Sequence, residues 1–536
     1  MNRDVHPCDD FYEFVCGGYS KRKPVPENEI RFTIQKEMTD DLDWKLKSLL
    51  EQVAVNDTDA MKMAQIYYSS CMNVELQETM DLLPITQMIS NLGGWPLLQN
   101  AKFDDTNFKW ESLAGQLLVH GVPTILDLYV HNSPANNSRN ILTVSYCDVE
   151  LKTHQLNVIR IIFQINFDLF LNRDLLLYLS PLPGNTILNI VDKTYFSQLT
   201  QLLGKTRMSD YMFWKFVQFF NIYLPPRYRV PIEKFYLKIN KRNAKTNWQR
   251  CVDLTRINLG FPLASGYVAK YFSWEKKHEV KHIASEMVLD LKSSMENTLL
   301  NTDWMDESTR SAALLKLNNT KERVAFPDFI TNQNILLRPY AEWLTSVISA
   351  DTYHYYSGNE IIFPAGILQY PLFIIGAPGF INYGAIGMNI GYELTHGFDD
   401  IGAKYDENGL KKKWWHSETE RIFNSKKQCF IAQYGSKFEP ITGRKAYQMH
   451  STRRPELYQL PGLANYTNEQ LFFIVFANNW CEAIKSNEID HIIDTSTQSL
   501  GMFRVNVPLQ NFPAFSQAFQ CPIGSGMNPF EKCRIW

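Results

Sequence analysis

Apolar residues recur every three or four positions through most of the stretch from Phe32 to Asn318, the spacing that lines one face of a helix. Asp59–Cys71, Tyr211–Tyr223 and Ile283–Leu300 carry the pattern most clearly, and each predicts an amphipathic helix with a buried stripe. Leu182-Pro183-Gly184 and Leu224-Pro225-Pro226 interrupt it, since proline and glycine end regular structure. Within 314–330 a helix ends and an extended segment begins, which suits a domain crossing. Tyr355–Phe373, with Glu360-Ile361-Ile362-Phe363-Pro364 at its centre, reads as strand. Such a strand offers an edge to an extended peptide, or is an ordinary sheet edge; the residues leave both open. A helix follows around Asn389–Asp400. The fold class expected is mainly α with a small β component, and no internal repeat or low-complexity segment alters it.

A chain of 536 residues accommodates up to three or four domains, or two large ones. The formal charge of −2 gives no reason to expect nucleic acid as a partner, and no basic run supports one. No apolar stretch is long enough to span a membrane, and no secretory signal precedes Asp4. The nine cysteines lack C-x-x-C metal spacing, and an odd count permits four bridges and one leftover. Glycosylation sequons begin at Asn56, Asn136, Asn318 and Asn465. With the cysteines they favour an oxidising, secretory setting, so the expectation is an ectodomain whose signal or anchor lies outside this chain. Near the N-terminus, Cys8 and Cys16 flank aromatic residues in what reads as a first amphipathic helix, stapled elsewhere.

The chemistry concentrates in Asn389–Asp400. Glu393 and His396 stand as the last two residues of an H-E-x-x-H zinc helix, in which two histidines one turn apart bind the metal and the glutamate is general base. The first histidine position holds Tyr392, on the same helix face at i, i+4. Its phenol, with a pKa near about 10, must lose a proton before it replaces a neutral imidazole.

Pro7-Cys8-Asp9-Asp10-Phe11, Ile362-Phe363-Pro364-Ala365-Gly366-Ile367-Leu368-Gln369, Gly391–Asp400 and the terminal Cys533-Arg534-Ile535-Trp536 together resemble the neprilysin family of zinc endopeptidases. The resemblance spans the chain and is loose over about residues 150–240. It implies a two-domain ectodomain enclosing a large cavity. An N-terminal arm (1–35) would pack on a thermolysin-like peptidase domain (315–536, shortened near 439–444), with a helical second domain (36–314) between them. It also implies the bridges Cys8–Cys521, Cys16–Cys481, Cys71–Cys251 and Cys429–Cys533. Cys147 would then be left over, a candidate for a disulfide-linked dimer.

Four departures from the family fall in the implied active site. Tyr392 replaces the first zinc histidine. The Glu-Asn-x-Ala-Asp motif that supplies the third ligand is missing between Cys429 and Leu460. Gln498 takes the place of the transition-state histidine, six residues before the substrate-binding arginine, which is kept as Arg504. Tyr353-His354 replace the Asn-Ala pair that holds the peptide backbone, and Asn389 and Asn479 stand near the apolar side-chain pocket. Losing a transition-state donor alone costs about 10²–10³ in rate. His354, His416, His450 and His491 are the histidines available as substitute ligands. The expectation is a neprilysin-like homologue without catalysis. Zinc would be weak or absent, and its cavity or surface would bind peptides or an extracellular partner. The alternative is an active zinc endopeptidase cleaving short peptides on the amino side of apolar residues.

Overall fold

The computed structural model describes residues 1–27, 29–55, 57–99, 110–133, 136–146, 188–190, 208–240, 245–272, 274–331, 343, 345–434, 463–495 and 499–536. Gln498, Cys147, His450, Leu182-Pro183-Gly184 and the shortened stretch near 439–444 lie outside them. Contacts divide the chain into two units, Met1–Met72 with Asn240–Trp536, and Asn73–Ile239. The boundaries 36–314 and 315–536 concern family architecture and are a different cut.

The smaller unit combines helices with a sheet. Ile85, Ile89, Leu113, Leu117, Met212, Phe213 and Phe216 form its core, contributed by the helices Leu83–Asn91, Trp110–Val119 and Met208–Phe220. The helix expected over Tyr211–Tyr223 is thus Met208–Phe220, continued by a 3-10 turn Asn221–Tyr223. The break at Leu224-Pro225 is real, and Pro226 opens the next helix, where its missing N–H costs nothing. Helical periodicity did not anticipate the antiparallel strands Leu126–Ser133 and Asn136–Tyr146, whose short alternating runs lack helical spacing.

In the larger unit, helices Ile34–Glu51, Asp59–Met72, Asn247–Asn258, Gly260–Tyr271 and Trp274–Leu300 bury their apolar stripes in one core with the C-terminal residues. All four implied disulfides are present: Cys8–Cys521, Cys16–Cys481, Cys71–Cys251 and Cys429–Cys533. The first helix, Phe11–Cys16, is capped by Asp10 accepting from Glu13 N, and the bridges from Cys8 and Cys16 hold it to the chain's last segment. Its Phe11 packs edge-on against Phe515 at 4.7 Å and Phe519 at 4.9 Å.

A three-stranded sheet positions the site. Its order is Lys321–Ala325, Glu360–Pro364, Tyr353–Tyr355; the first pair is parallel and the second antiparallel. The strand expected over Tyr355–Phe373 is only Glu360–Pro364, and all five of its residues are buried. It is the central strand, and the edges belong instead to Lys321–Ala325 and Tyr353–Tyr355, the latter too short for periodicity to reveal. A two-stranded ladder joins Arg31–Thr33 to Glu482–Ile484.

After the central strand the chain turns back at Gly366. A Cβ there would stand 2.4 Å from the Ser349 carbonyl oxygen and 2.7 Å from its carbon, both backbone atoms that cannot swing away. Gly366→Ala should therefore cost about 1–3 kcal/mol, read as a lower denaturant midpoint with an unchanged slope. An unchanged midpoint would contradict this close approach.

Candidate active site

The helix Ile386–His396 starts after a backbone break at Ala385 (φ −97°, ψ −96°) and buries Ile390, Gly391, Glu393, Leu394 and Thr395. Tyr392 and His396 remain half-buried one turn apart, on the face that borders a cleft of about 520 Å³. Eight residues singled out in the sequence line this cleft: Tyr353, His354, Asn389, Tyr392, Glu393, His396, Asn479 and Arg504. They come from one strand, two helices and the residue that caps a third, so only the fold brings them together. His416 and His491 do not line it.

His396 is held by the turn that ends its own helix. Its Nδ1 lies 2.6 Å from Asp399 Oδ2, so Nδ1 carries the proton and Nε2 is left as the acceptor or ligand atom. Asp399 Oδ1 accepts from Ile401 N at 2.8 Å and Gly402 N at 2.7 Å. Burial raises the Asp399 carboxyl, but the bonds from His396 and these amides outweigh it and hold it below its ordinary value. A Cβ on Gly402 would meet the His396 carbonyl oxygen at 1.9 Å, so only glycine lets the turn press so closely on the helix end. Beneath the turn, the buried Lys316 donates to Gly402 O at 2.7 Å and Tyr405 O at 2.6 Å. Burial pushes its ammonium down to about 7.

Glu393 points away from water. Its Oε1 accepts from Thr352 Oγ1 at 2.6 Å, and burial pushes the carboxyl up to about 7 against the opposing effects of Thr352 and His396. His354 donates from Nδ1 to the Glu393 carbonyl at 2.7 Å, and burial pushes it down to about 3, so the ring is neutral. Its Nε2 is buried without a hydrogen-bond partner. The ring centroids of His354 and His396 are 6.3 Å apart.

On the opposite wall Arg504 is buried, its guanidinium 4.4 Å over the Trp480 ring and its Nε donating to Ser499 O at 3.2 Å. Glu482 accepts from Gly501 N, at the start of the arginine's helix, and pairs with Arg31 at 2.5 Å. Asn479 donates to Gly384 O at 3.2 Å, so this amide is satisfied by backbone. Periodicity missed Thr352, Lys316, Arg31 and Glu482. A lone threonine or lysine carries no spacing, and Arg31 and Glu482 meet only through strand pairing.

The described donors do not fit a catalytic zinc ion, which takes three protein ligands and an open fourth position. Tyr392, at the first histidine position of the H-E-x-x-H spacing, sets its ring edge-on against His396, centroids 4.4 Å apart. Among the described residues no three His, Cys, Asp or Glu side chains converge as a metal-holding group.

The raised Glu393 carboxyl has a consequence for stability. Its contribution is complete below the ordinary carboxylate value and is lost as pH rises through about 7. Glu393→Gln should thus melt above the unsubstituted protein at about pH 8, by the equivalent of about 1–3 kcal/mol, and the gap should close towards about pH 5. Thermal melts across that range check it; a gap independent of pH would contradict it.

Sequence and structure comparisons agree with this frame. The N-terminal region of peptidase family M13 matches residues 7–157 and 148–327, and its C-terminal region matches 352–448 and 441–535. Neprilysin-21 of Caenorhabditis elegans is 28% identical over 676 positions, covering all of this chain and 87% of the relative. Endothelin-converting enzyme 1 of Cavia porcellus is 29% identical over 667, covering all of this chain and 87% of that one. These alignments are longer than the 536-residue chain, so the relatives carry internal segments without a counterpart here. The fold is similar to the inhibitor-bound zinc metalloprotease Zmp1 of Mycobacterium tuberculosis (TM-score 0.79, 20% identity, 100% of this chain and 98% of that one). It is also similar to PepO of Lactobacillus rhamnosis (TM-score 0.77, 17% identity, 98% of each). Matched in both regions and from end to end, the chain belongs to peptidase family M13.

Proposed function

We propose that this chain is a non-catalytic member of the family, a peptide-binding ectodomain whose cleft has kept its frame and lost its metal set. The observation that carries the reading is Tyr392 packed against His396 in the position of the first imidazole. The missing third-ligand motif supports it, and the C-terminal family match falls into two stretches that meet at 441–448, beside the expected shortening near 439–444. Gln498 in place of the transition-state histidine points the same way. The edge strand Tyr353–Tyr355, two of whose residues line the cleft, and the buried Arg504 support the binding of an extended peptide, the arginine as a fixed positive charge. Asn389 and Asn479 make the neighbouring pocket more polar than an apolar side chain requires.

Residues 1–35, 36–314 and 315–536 are the proposed arm, second domain and peptidase-like domain. Four disulfides favour an oxidising, extracellular setting. Asn318 and Asn465 of the sequons are exposed and open to glycans. Among the described residues no helix is long and apolar enough to cross a membrane. The dimer through Cys147 has no support among the bridges present.

Metal analysis and a quenched fluorescent peptide with an apolar residue after the scissile bond test the proposal together. Zinc retained after dialysis should fall well below stoichiometric, and no chelator-sensitive cleavage should exceed that of Glu393→Gln. Tyr392→His should raise zinc affinity without restoring turnover, since the third ligand stays absent and a two-histidine site is poorly ordered. Stoichiometric zinc with chelator-sensitive cleavage, abolished in Glu393→Gln, would instead establish the active endopeptidase.

A further inference from the structure

A second cavity, of about 440 Å³, shares no lining residue with the cleft. Five lysines line it, Lys404, Lys411, Lys412, Lys413 and Lys427, against two carboxylates, Asp400 and Glu420. The sequence shows only three adjacent lysines; the fold adds the other two to a chain whose overall charge is −2. Lys413 lies 3.2 Å from Glu420 and Lys427 lies 3.6 Å from Asp400. Lys404, Lys411 and Lys412 are exposed and make no ion pair among the described residues.

The backbone forces this charge together. Tyr405 and Lys411 form an antiparallel bridge, and Lys412 N donates to Lys404 O at 2.9 Å, so two lysines face each other across a ladder. Like charges placed so are destabilising unless an anion lies between them. The turn is stiff: Asp406 Oδ1 accepts from both Asn408 N and Leu410 N at 2.9 Å, and Asp406 N donates to Leu410 O. The lysines are therefore presented on an ordered ribbon, which lowers the entropy lost on binding. Trp414 and Trp415 also line the cavity, and their indole N–H groups are buried without an acceptor.

We propose that this cavity binds a sulfated glycan, with sulfate esters on Lys404, Lys411 and Lys412 and the apolar face of a sugar ring against the half-buried Trp414. Clustered lysines suit a polyanion. The volume matches one or two sugar rings rather than a duplex. The disulfides fit an oxidising, extracellular setting, in which a sulfated polysaccharide is accessible as a polyanion.

The test is the affinity of the purified full chain for a heparin oligosaccharide across a salt series. Chemically desulfated heparin, duplex DNA and anionic phosphatidylserine vesicles serve as comparators. Sulfated oligosaccharide should bind about tenfold or more above each comparator. Lys404→Gln/Lys411→Gln/Lys412→Gln should lose about tenfold or more and flatten the slope of log affinity against log salt by about one per lysine removed. A control carrying Lys21→Gln, Lys62→Gln and Lys245→Gln, all outside the cavity, should keep the unsubstituted affinity within about twofold. Three outcomes would each overturn the proposal: no binding at low salt, equal loss in the control, or DNA or vesicles bound as tightly as the sulfated oligosaccharide.

Discussion

The ammonium of Lys316 is the constraint on which the site's geometry rests. A buried cation costs several kcal/mol unless its protons are satisfied, and here two backbone carbonyls, Gly402 O and Tyr405 O, take them. The rings of Phe398 and Trp414 lie 5.7 and 5.5 Å from the same nitrogen. This pins the turn that follows the helix Ile386–His396. Through the Gly402 amide and Asp399, the pinned turn sets the tautomer and orientation of His396. A histidine oriented by a carboxylate in this way is the usual support of a metal ligand. One turn earlier on the same helix face stands Tyr392.

That combination is physically reasonable because the frame and the chemistry draw on different interactions. The larger unit's core, its four disulfides and the paired strands frame the cleft. Tyr392 contributes through its ring, packed on His396, where a ligand must contribute through a lone pair. Fold alone does not decide function, which has to be argued from the donors present. An edge strand and a buried arginine line the same cleft.

The same turn leads from one site to the other. Asp399 and Gly402 order His396 on one side, while Asp400 and Lys404, one and two residues away, line the lysine cavity. The aromatic cluster of Trp304, Trp415, Phe423 and Trp536 backs that cavity, and the bridge Cys429–Cys533 ties its terminal strand of chain in place. Tightly packed aromatic rings give both sites a stiff support.

Sequence alone determined what depends on local order or on residue identity. Apolar spacing marked the long helices, because a helix places residues three and four apart on one face. Comparison with the H-E-x-x-H spacing picked out Tyr392, since a tyrosine at a histidine position is visible as a letter. The cysteine pairing followed from the family resemblance and is present in full. Pairing, burial and convergence belonged to the tertiary structure. Glu360–Pro364 proved central and Tyr353–Tyr355 the edge, because strand order depends on partners distant in the chain. Thr352, Lys316 and the Arg31–Glu482 pair act through single hydrogen bonds between remote segments, and no spacing rule records those. The lysine cavity was likewise invisible as a run. Its charge density arises only when a backbone ladder sets Lys404 opposite Lys412, which is a property of register and not of composition.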